Sequence, residues 1–315
     1  MTRRSLPTAA LRGSFPPLVT PFSQGCVDYG AYGRLARSVI DGGSHGLVVN
    51  GTTAEPTSLT IEERNLLVAA AVAAADGGVP VVAATGSQSF AESLDLTLAA
   101  EAAGADAVMI VTPYFIKPPV RGMVEYYVEL ASRTSLPTLI YHIPGRAGVS
   151  LPPSAIAEIV ARAPTLVGVK HASTDLAFVT ETLSLLGPDF RIFVGLEELS
   201  FPMMAIGASG LMNAAGNLVP RQVAALAEAA LAGDMTTARD LHFKLFELNQ
   251  AIFWDTNPIP MKYMLRRMGL LPTNEHRLPM LAATSDLEER LDALLDRSGL
   301  LGLGQSPETI MGSKA

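Results

Sequence analysis

Between Phe15 and Ala232 the chain repeats one arrangement eight times: a short, nearly continuous apolar run, then a longer stretch with helical spacing. The runs are Phe15–Thr20, Gly46–Asn50, Val79–Ala84, Ala107–Val111, Thr138–Tyr141, Val167–Lys170, Arg191–Gly195 and Gly210–Asn213. Apolar character that does not alternate predicts parallel strands covered on both faces. The intervening helices are expected over Tyr29–Gly42, Ile61–Ala75, Phe90–Gly104, Arg121–Ser135, Ser154–Ala163, Leu176–Leu186, Leu199–Ile206 and Arg221–Ala232. Gly42-Gly43, Gly77-Gly78 and Gly104 stand where helices should end, and Thr60 with Glu63 three residues on predicts a capping box. Eight strand–helix units make an α/β fold of the (β/α)8 barrel type. The rival is a doubly wound open sheet. It would want a glycine-rich dinucleotide turn after the first strand, where the chain instead reads Thr20-Pro21-Phe22-Ser23.

The eight units end near Ala232, so the barrel is expected over residues 13–232. Further helices over Met235–Phe253, Ile259–Met268 and Asp286–Arg297 predict a C-terminal helical extension, residues 233–299. Residues 1–12 and 300–315 are expected to be loose tails. The first of these has Arg3, Arg4 and Arg12 but no apolar stretch of secretory type.

Charge and cysteine usage narrow the partners. A net charge of -7 without a Lys/Arg cluster argues against nucleic acid. A charged fraction of only 17% points to surface hidden in an oligomer as well as in the core. Cys26 is the one cysteine, which excludes an intrachain disulfide and suits a reducing cytoplasm. Apolar runs such as Val68–Ala75 are too short to span a bilayer.

In a (β/α)8 enzyme the catalytic groups stand at the C-terminal ends of strands. There the chain offers Gly51-Thr52-Thr53-Ala54-Glu55, Thr112-Pro113-Tyr114-Phe115, Tyr141 through Arg146, Lys170-His171 and Gly195-Leu196-Glu197-Glu198. Lys170 is the sharpest signal, because it closes an apolar strand and lysine is rarely buried without a task. Desolvation disfavours an ammonium and frees a nucleophilic amine, as imine formation with a ketone requires. The bland alternative is an ion pair with Glu197 or Glu198. Tyr141 could carry a proton to or from a carbinolamine oxygen, or simply fill core. Thr52 and Thr53 could hold a carboxylate or merely cap a turn. Arg146 suits a second substrate carboxylate, or a loop salt bridge. His142 and His171 are read as satisfied polar residues. No His/Asp/Glu grouping of metal-ligand type stands at the strand ends, so neither a metal nor a cofactor is expected. The acidic residues after strand seven disfavour a phosphate site there.

Together these segments resemble the dihydrodipicolinate synthase and N-acetylneuraminate lyase family. Gly51-Thr52-Thr53-x-Glu55 looks like its carboxylate-binding turn, Tyr141-x-x-Pro144-x-Arg146-x-Gly148 its tyrosine–arginine segment, and Gly168-Val169-Lys170 its imine lysine. Asn257-Pro258-Ile259-Pro260-Met261-Lys262 and Arg277-Leu278-Pro279-Met280 are similar to the C-terminal region of the synthases. The resemblance runs from about Gly13 to Leu301.

The resemblance implies a (β/α)8 lyase that condenses pyruvate with an aldehyde, with aspartate semialdehyde the first expectation. Lys170 would form the imine, Tyr141 would shuttle protons and Thr52 would be the relay hydroxyl. Thr53 would hold the pyruvate carboxylate and Arg146 that of the aldehyde. Gly195, Phe115 and Asn213 complete the expected substrate-binding set. Family members are commonly homotetramers, dimers of dimers. Four departures bear on this. Phe115 stands where the synthases have the tyrosine supplied across the dimer interface, and Ala54 stands where they have glycine. His142 and His171 replace the more usual Asn and Glu. Pro56, Ile61 and Arg64 replace the polar and histidine residues of lysine-inhibited synthases. Two other readings remain open: a different pyruvate-dependent aldolase, hydratase-aldolase or sugar-acid dehydratase, and a non-catalytic 2-oxo acid sensor.

Overall fold

A computed structural model describes residues 8–301. Most of both expected tails therefore lies outside the described residues. Residues 8–12 do not behave as a loose tail. Thr8–Ala10 form a turn of 3-10 helix, Arg191 Nε donates to Thr8 O, and Leu11 is fully buried in the barrel interior.

Eight parallel strands form one sheet: β1 (Gly13–Ser14), β2 (Leu47–Val49), β3 (Val81–Ala84), β4 (Ala107–Val111), β5 (Thr138–His142), β6 (Leu166–His171), β7 (Arg191–Val194) and β8 (Gly210–Leu211). Each pairs with its neighbours in chain order, and β1 pairs with β8. A bridge between Pro17 and Val48 joins β1's continuation to β2 and closes the barrel. The first strand is short and lies just before the expected Phe15–Thr20, without overlapping it. Pro16 and Pro17 lack the N–H groups a ladder needs, so only single bonds such as Phe15 N–H to Leu211 O continue the pairing.

The helices are α1 (Tyr29–Asp41), α2 (Ile61–Ala75), α3 (Phe90–Ala103), α4 (Val120–Ala131), α5 (Pro153–Arg162), α6 (Leu176–Leu186), α7 (Ser200–Ala205) and α8 (Pro220–Leu231). The capping box at α2 forms as its sequence demands: Thr60 Oγ1 accepts from Glu63 N and Glu63 Oε2 from Thr60 N. One core fills the barrel, with Phe15, Val48, Val82, Met109, Leu139 and Phe193. A larger one lies between the strands and the helices, including Val49, Ile110, Ile140, Val169 and Ile192. The period-two alternation of strand side chains sorts residues between the two, so one register fixes what faces the barrel axis.

Three more helices follow: α9 (Met235–Ala251), α10 (Ile259–Arg267) and α11 (Ser285–Arg297). A hairpin that the sequence reading did not anticipate pairs Phe22–Ser23 with Cys26–Val27. Its two turn residues, Gln24 (φ 51) and Gly25 (φ 78), are both left-handed, the conformation that matches strand twist. The hairpin ties down the segment after α10. Glu275 accepts from Gln24 N and Gly25 N, and Arg277 donates to Gly25 O while forking onto both oxygens of Glu63 at 2.7 Å. Among the described residues no helix is long and apolar enough to cross a membrane.

Candidate active site

The register of β5 against β6 builds the centre of the site. Tyr141 pairs with Lys170 and His142 with His171. Alternation then sends the first pair into the barrel and the second outward. Lys170 is 4% exposed and its Nζ lies 4.4 Å from the centroid of the Tyr141 ring. No ion pair or hydrogen bond ties that amine among the described residues, so the expected alternative of a strand-end ion pair does not form. Glu197 Oε1 instead accepts the Ala214 N–H at 2.5 Å. Burial raises the Glu197 pKa, against the pull of that backbone and of Lys170. Gly195 leaves room for the lysine: a Cβ there would stand 2.9 Å from Lys170 Cε.

The turn after β2 brings in the threonines. Thr52–Ala54 form a 3-10 turn followed by Glu55 in the left-handed region (φ 56). Thr52 Oγ1 lies 3.1 Å from the Tyr141 hydroxyl. Thr53 is buried, and its hydroxyl oxygen accepts from Asn257 Nδ2 at 3.0 Å. Thr52 and Tyr141 border a cavity of about 580 Å³ that also includes Asn50, Arg64, Glu92, Tyr114 and Arg146. Arg146 sits on the short helix Pro144–Ala147, exposed, with its guanidinium unpaired among the described residues. No loop salt bridge holds it.

Of the expected site residues only Thr52, Tyr141 and Arg146 border this cavity; Lys170, Thr53 and Gly195 are not part of its lining, and Phe115 and Asn213 stand apart from it. Phe115 is 87% exposed with φ 72, pointing out of its own chain's site. Asn213 is buried after β8, where its amide donates to Ser200 Oγ at 2.5 Å and its Oδ1 has no partner among the described residues.

His142 and His171 do more than fill space. Their Nδ1 atoms are 3.1 Å apart and the rings lie side by side, both stacked on Phe178 of α6. Leu151 N–H donates to His142 Nε2, so that nitrogen carries no proton. His142 Nδ1–H must then donate to His171, whose Nε2–H donates to Asp175 O at 3.1 Å. The chain of bonds needs both rings neutral. Burial, with the neighbouring ring adding to it at His142, lowers both from 6.5 to about 4. The pair clamps the ends of β5 and β6 one residue beyond Tyr141 and Lys170. Expected only as satisfied polar residues, the two histidines are brought together by the register alone.

Glu55, Asn257 and Lys262, marked in the sequence only by resemblance, meet in the structure at the turn after β2. Glu55 Oε1 accepts from Lys262 Nζ at 2.8 Å, and both side chains are at most 2% exposed. The Asn-Pro-x-Pro spacing carries no chemical signal of its own, because its partners lie some 200 residues away in the chain.

Residues 10–298 match the model of the dihydrodipicolinate synthetase family. The chain is 46% identical over 291 residues to a 4-hydroxy-tetrahydrodipicolinate synthase of Thermus thermophilus, covering 92% of this chain and 97% of that one. The dihydrodipicolinate synthase of Aquifex aeolicus superposes with a TM-score of 0.90 at 35% identity, over 92% of this chain and 99% of that one. The Acinetobacter baumannii enzyme, solved complexed with pyruvate, has a TM-score of 0.89 at 32% identity, over 92% and 100%. With eight parallel strands, an unpaired buried lysine beside a threonine-linked tyrosine, and likeness along almost its whole length, the chain belongs to the dihydrodipicolinate synthetase family.

Proposed function

We propose that this chain is a Schiff-base lyase that condenses pyruvate with aspartate semialdehyde, giving 4-hydroxy-tetrahydrodipicolinate. One observation carries the reading: the Thr52 and Tyr141 hydroxyls are 3.1 Å apart, and the Lys170 amine lies over the Tyr141 ring with no acid paired to it among the described residues. The Lys170 amine attacks the C2 carbonyl of pyruvate, and the carbinolamine oxygen leaves as water with a proton delivered by Tyr141. The protonated imine is an electron sink. A methyl proton departs, the resulting enamine attacks the aldehyde carbon, and the aldehyde oxygen takes up a proton. Attack of the substrate amine on the imine carbon then closes the ring and releases Lys170. Thr52 passes the proton between Tyr141 and the exterior, while Thr53 holds the pyruvate carboxylate. Arg146, unpaired at the open side of the cavity, takes the carboxylate of the aldehyde as a fork.

A solved relative carries pyruvate, and the curated relatives bear the synthase name, which supports both the 2-oxo acid and the acceptor. Phe115 favours a second reading, an aldolase for an apolar or sugar aldehyde, because it offers no hydroxyl to a relay. A homotetramer is part of the proposal, supported by the exposure of Phe115, Ile116, Phe243 and Phe253; light scattering that reports a stable monomer at micromolar concentration removes it. For the chemistry, pyruvate with borohydride should label Lys170 covalently, as read by mass spectrometry of the digest. An adduct on another lysine, or none on the folded protein, overturns the mechanism.

A further inference from the structure

The Asn257–Lys262 segment has no task in the imine chemistry, yet it holds a lysine that is 0% exposed. Lys262 Nζ donates to Glu55 Oε1 at 2.8 Å and lies 4.3 Å from the Phe22 ring centroid. The other oxygen of Glu55 faces His276 Nδ1 at 3.0 Å. Both oxygens of one carboxylate are thus bound by the C-terminal extension, one through α10 and one through the loop that follows. Taking such a pair out of water costs several kcal/mol that the attraction only partly returns, so its presence points to geometry rather than to net stability. The geometry it fixes is the turn after β2. Glu55 sits two residues beyond Thr53, in a left-handed conformation that a non-glycine residue adopts only when its surroundings hold it there.

Asn257, at the start of the same segment, touches that turn directly. Its Nδ2–H donates to Thr53 Oγ1 at 3.0 Å, and the amide nitrogen contacts no other group among the described residues. A hydroxyl that accepts one bond keeps a single proton to donate elsewhere. A neighbour that accepted from Thr53 would consume that proton. A neighbour that donates aims it at whatever anion lies in front.

We propose that Asn257 is a positioning residue that sets the Thr53 hydroxyl as a donor to the substrate carboxylate, with the Glu55–Lys262 pair holding the helical extension against the turn. This rests on the reading of Thr53 as the carboxylate-holding residue. The extension is accordingly a wall of the 2-oxo acid subsite, reached from a segment far along the chain. The chemical class served is a small carboxylate next to a ketone.

The test is KM for pyruvate against kcat, at saturating aldehyde, in the full-length enzyme. One hydrogen bond to a charged group is worth about 10- to 100-fold in binding. Thr53→Ala should raise KM by about that factor, with kcat nearly unchanged. Asn257→Ala should raise it about 3- to 10-fold. Asn257→Asp, the same shape with acceptors only, should raise it about 100-fold by capturing the Thr53 proton. In the Thr53→Ala background, Asn257→Ala should add nothing, because the effect passes through the hydroxyl. If the Asn257 variants fold poorly, Glu55→Gln with Lys262→Met keeps the packing without the buried charges, and should still raise KM about 10-fold at preserved kcat. Multiplicative effects of Thr53→Ala and Asn257→Ala would overturn the proposal while leaving the carboxylate reading intact. So would Asn257→Asp no worse than Asn257→Ala. An unchanged KM in Thr53→Ala alone would overturn the carboxylate reading and the proposal together, without touching imine trapping at Lys170.

Discussion

Adding one methyl at Gly195 should disable Lys170 without unfolding the barrel. A Cβ built there meets Lys170 Cε at 2.9 Å, Ala172 Cβ at 2.8 Å and His171 O at 3.2 Å. Carbon atoms prefer to be no closer than about 3.5 Å, so something must give by about 0.6 Å. The backbone is the stiffer party, because Gly195 N–H donates to His171 O at 2.8 Å and His171 pairs with Val194. Gly195 is not among the glycines with left-handed φ, so alanine adds no backbone strain. The flexible lysine yields to its own overlap, while the rigid Ala172 Cβ can be relieved only by a small shift of backbone. Overpacking of this kind costs about 1–3 kcal/mol in stability. A misplacement of about 1 Å at the reacting atom costs about 100-fold in rate, so a loss of about 10- to 100-fold in kcat/KM is expected for Gly195→Ala. The rate of borohydride-trapped imine formation should fall in step. Gly33→Ala, at a helical glycine with open space around it, is the control and should leave both rates alone. A folded Gly195→Ala enzyme with the parent's imine rate and kcat/KM would refute the argument that Lys170 owes its position to this gap.

Further outcomes follow from the same geometry. Phe115→Tyr should raise kcat/KM with aspartate semialdehyde, and Arg146→Ala should lower it about 10- to 100-fold, the worth of a hydrogen bond to a carboxylate; negligible turnover in parent and variants alike, with imine trapping intact, would favour the other lyases. Lysine at millimolar concentration should inhibit weakly or not at all, because Arg64, 3.5 Å from Glu92, already occupies that carboxylate and presents a cation to the cavity; strong inhibition would refute this. The His142–His171 clamp should make the fold acid-sensitive. The unfolded rings take up protons near pH 6.5 and the folded ones only near about 4, so the unfolded state binds more protons in that window and stability falls as pH drops through it. Carried through the whole window, one ring accounts for about 3 kcal/mol. Denaturant titrations from pH 7 to 4 should show the loss, and His142→Asn with His171→Gln should lessen it; an equal slope in the double variant would discard the clamp.

What the sequence made legible depends on how local its cause is. The strands and helices of the barrel were readable because each is set by the spacing and type of its own residues. The ends of α2 and α6 fall where the sequence places them, at Ile61–Ala75 and Leu176–Leu186, since Thr60 and Asp175 cap them from within the segment. The first strand forms at Gly13–Ser14 and not over Phe15–Thr20, because apolar character says nothing of the N–H groups that Pro16 and Pro17 lack. The hairpin at Phe22–Val27 was missed because its strands are two residues each, too short to show a period.

The candidate site divides along the same line, and this explains why one half was legible and the other was not. Tyr141 and Lys170 each end an apolar strand, so position alone marks them. That they face each other follows from the parallel register of adjacent strands. The same register, shifted by one residue, places His142 against His171 on the outer face. The turn after β2 has no such rule behind it. Thr53 is met by Asn257, and Glu55 by Lys262 and His276, across separations of about 200 residues. No periodicity spans such a gap. What a sequence shows of such contacts is only their cost: a lysine in the apolar company of Ile259, Met261, Tyr263 and Met264, and an acid closing a turn of small residues. Two charges that ought to be exposed and are placed among residues that ought to be buried must find each other, because neither finds water. Lys262 and Glu55 are in that sense a readable pair, and their meeting ties the helical extension to the turn whose Thr52 bonds Tyr141.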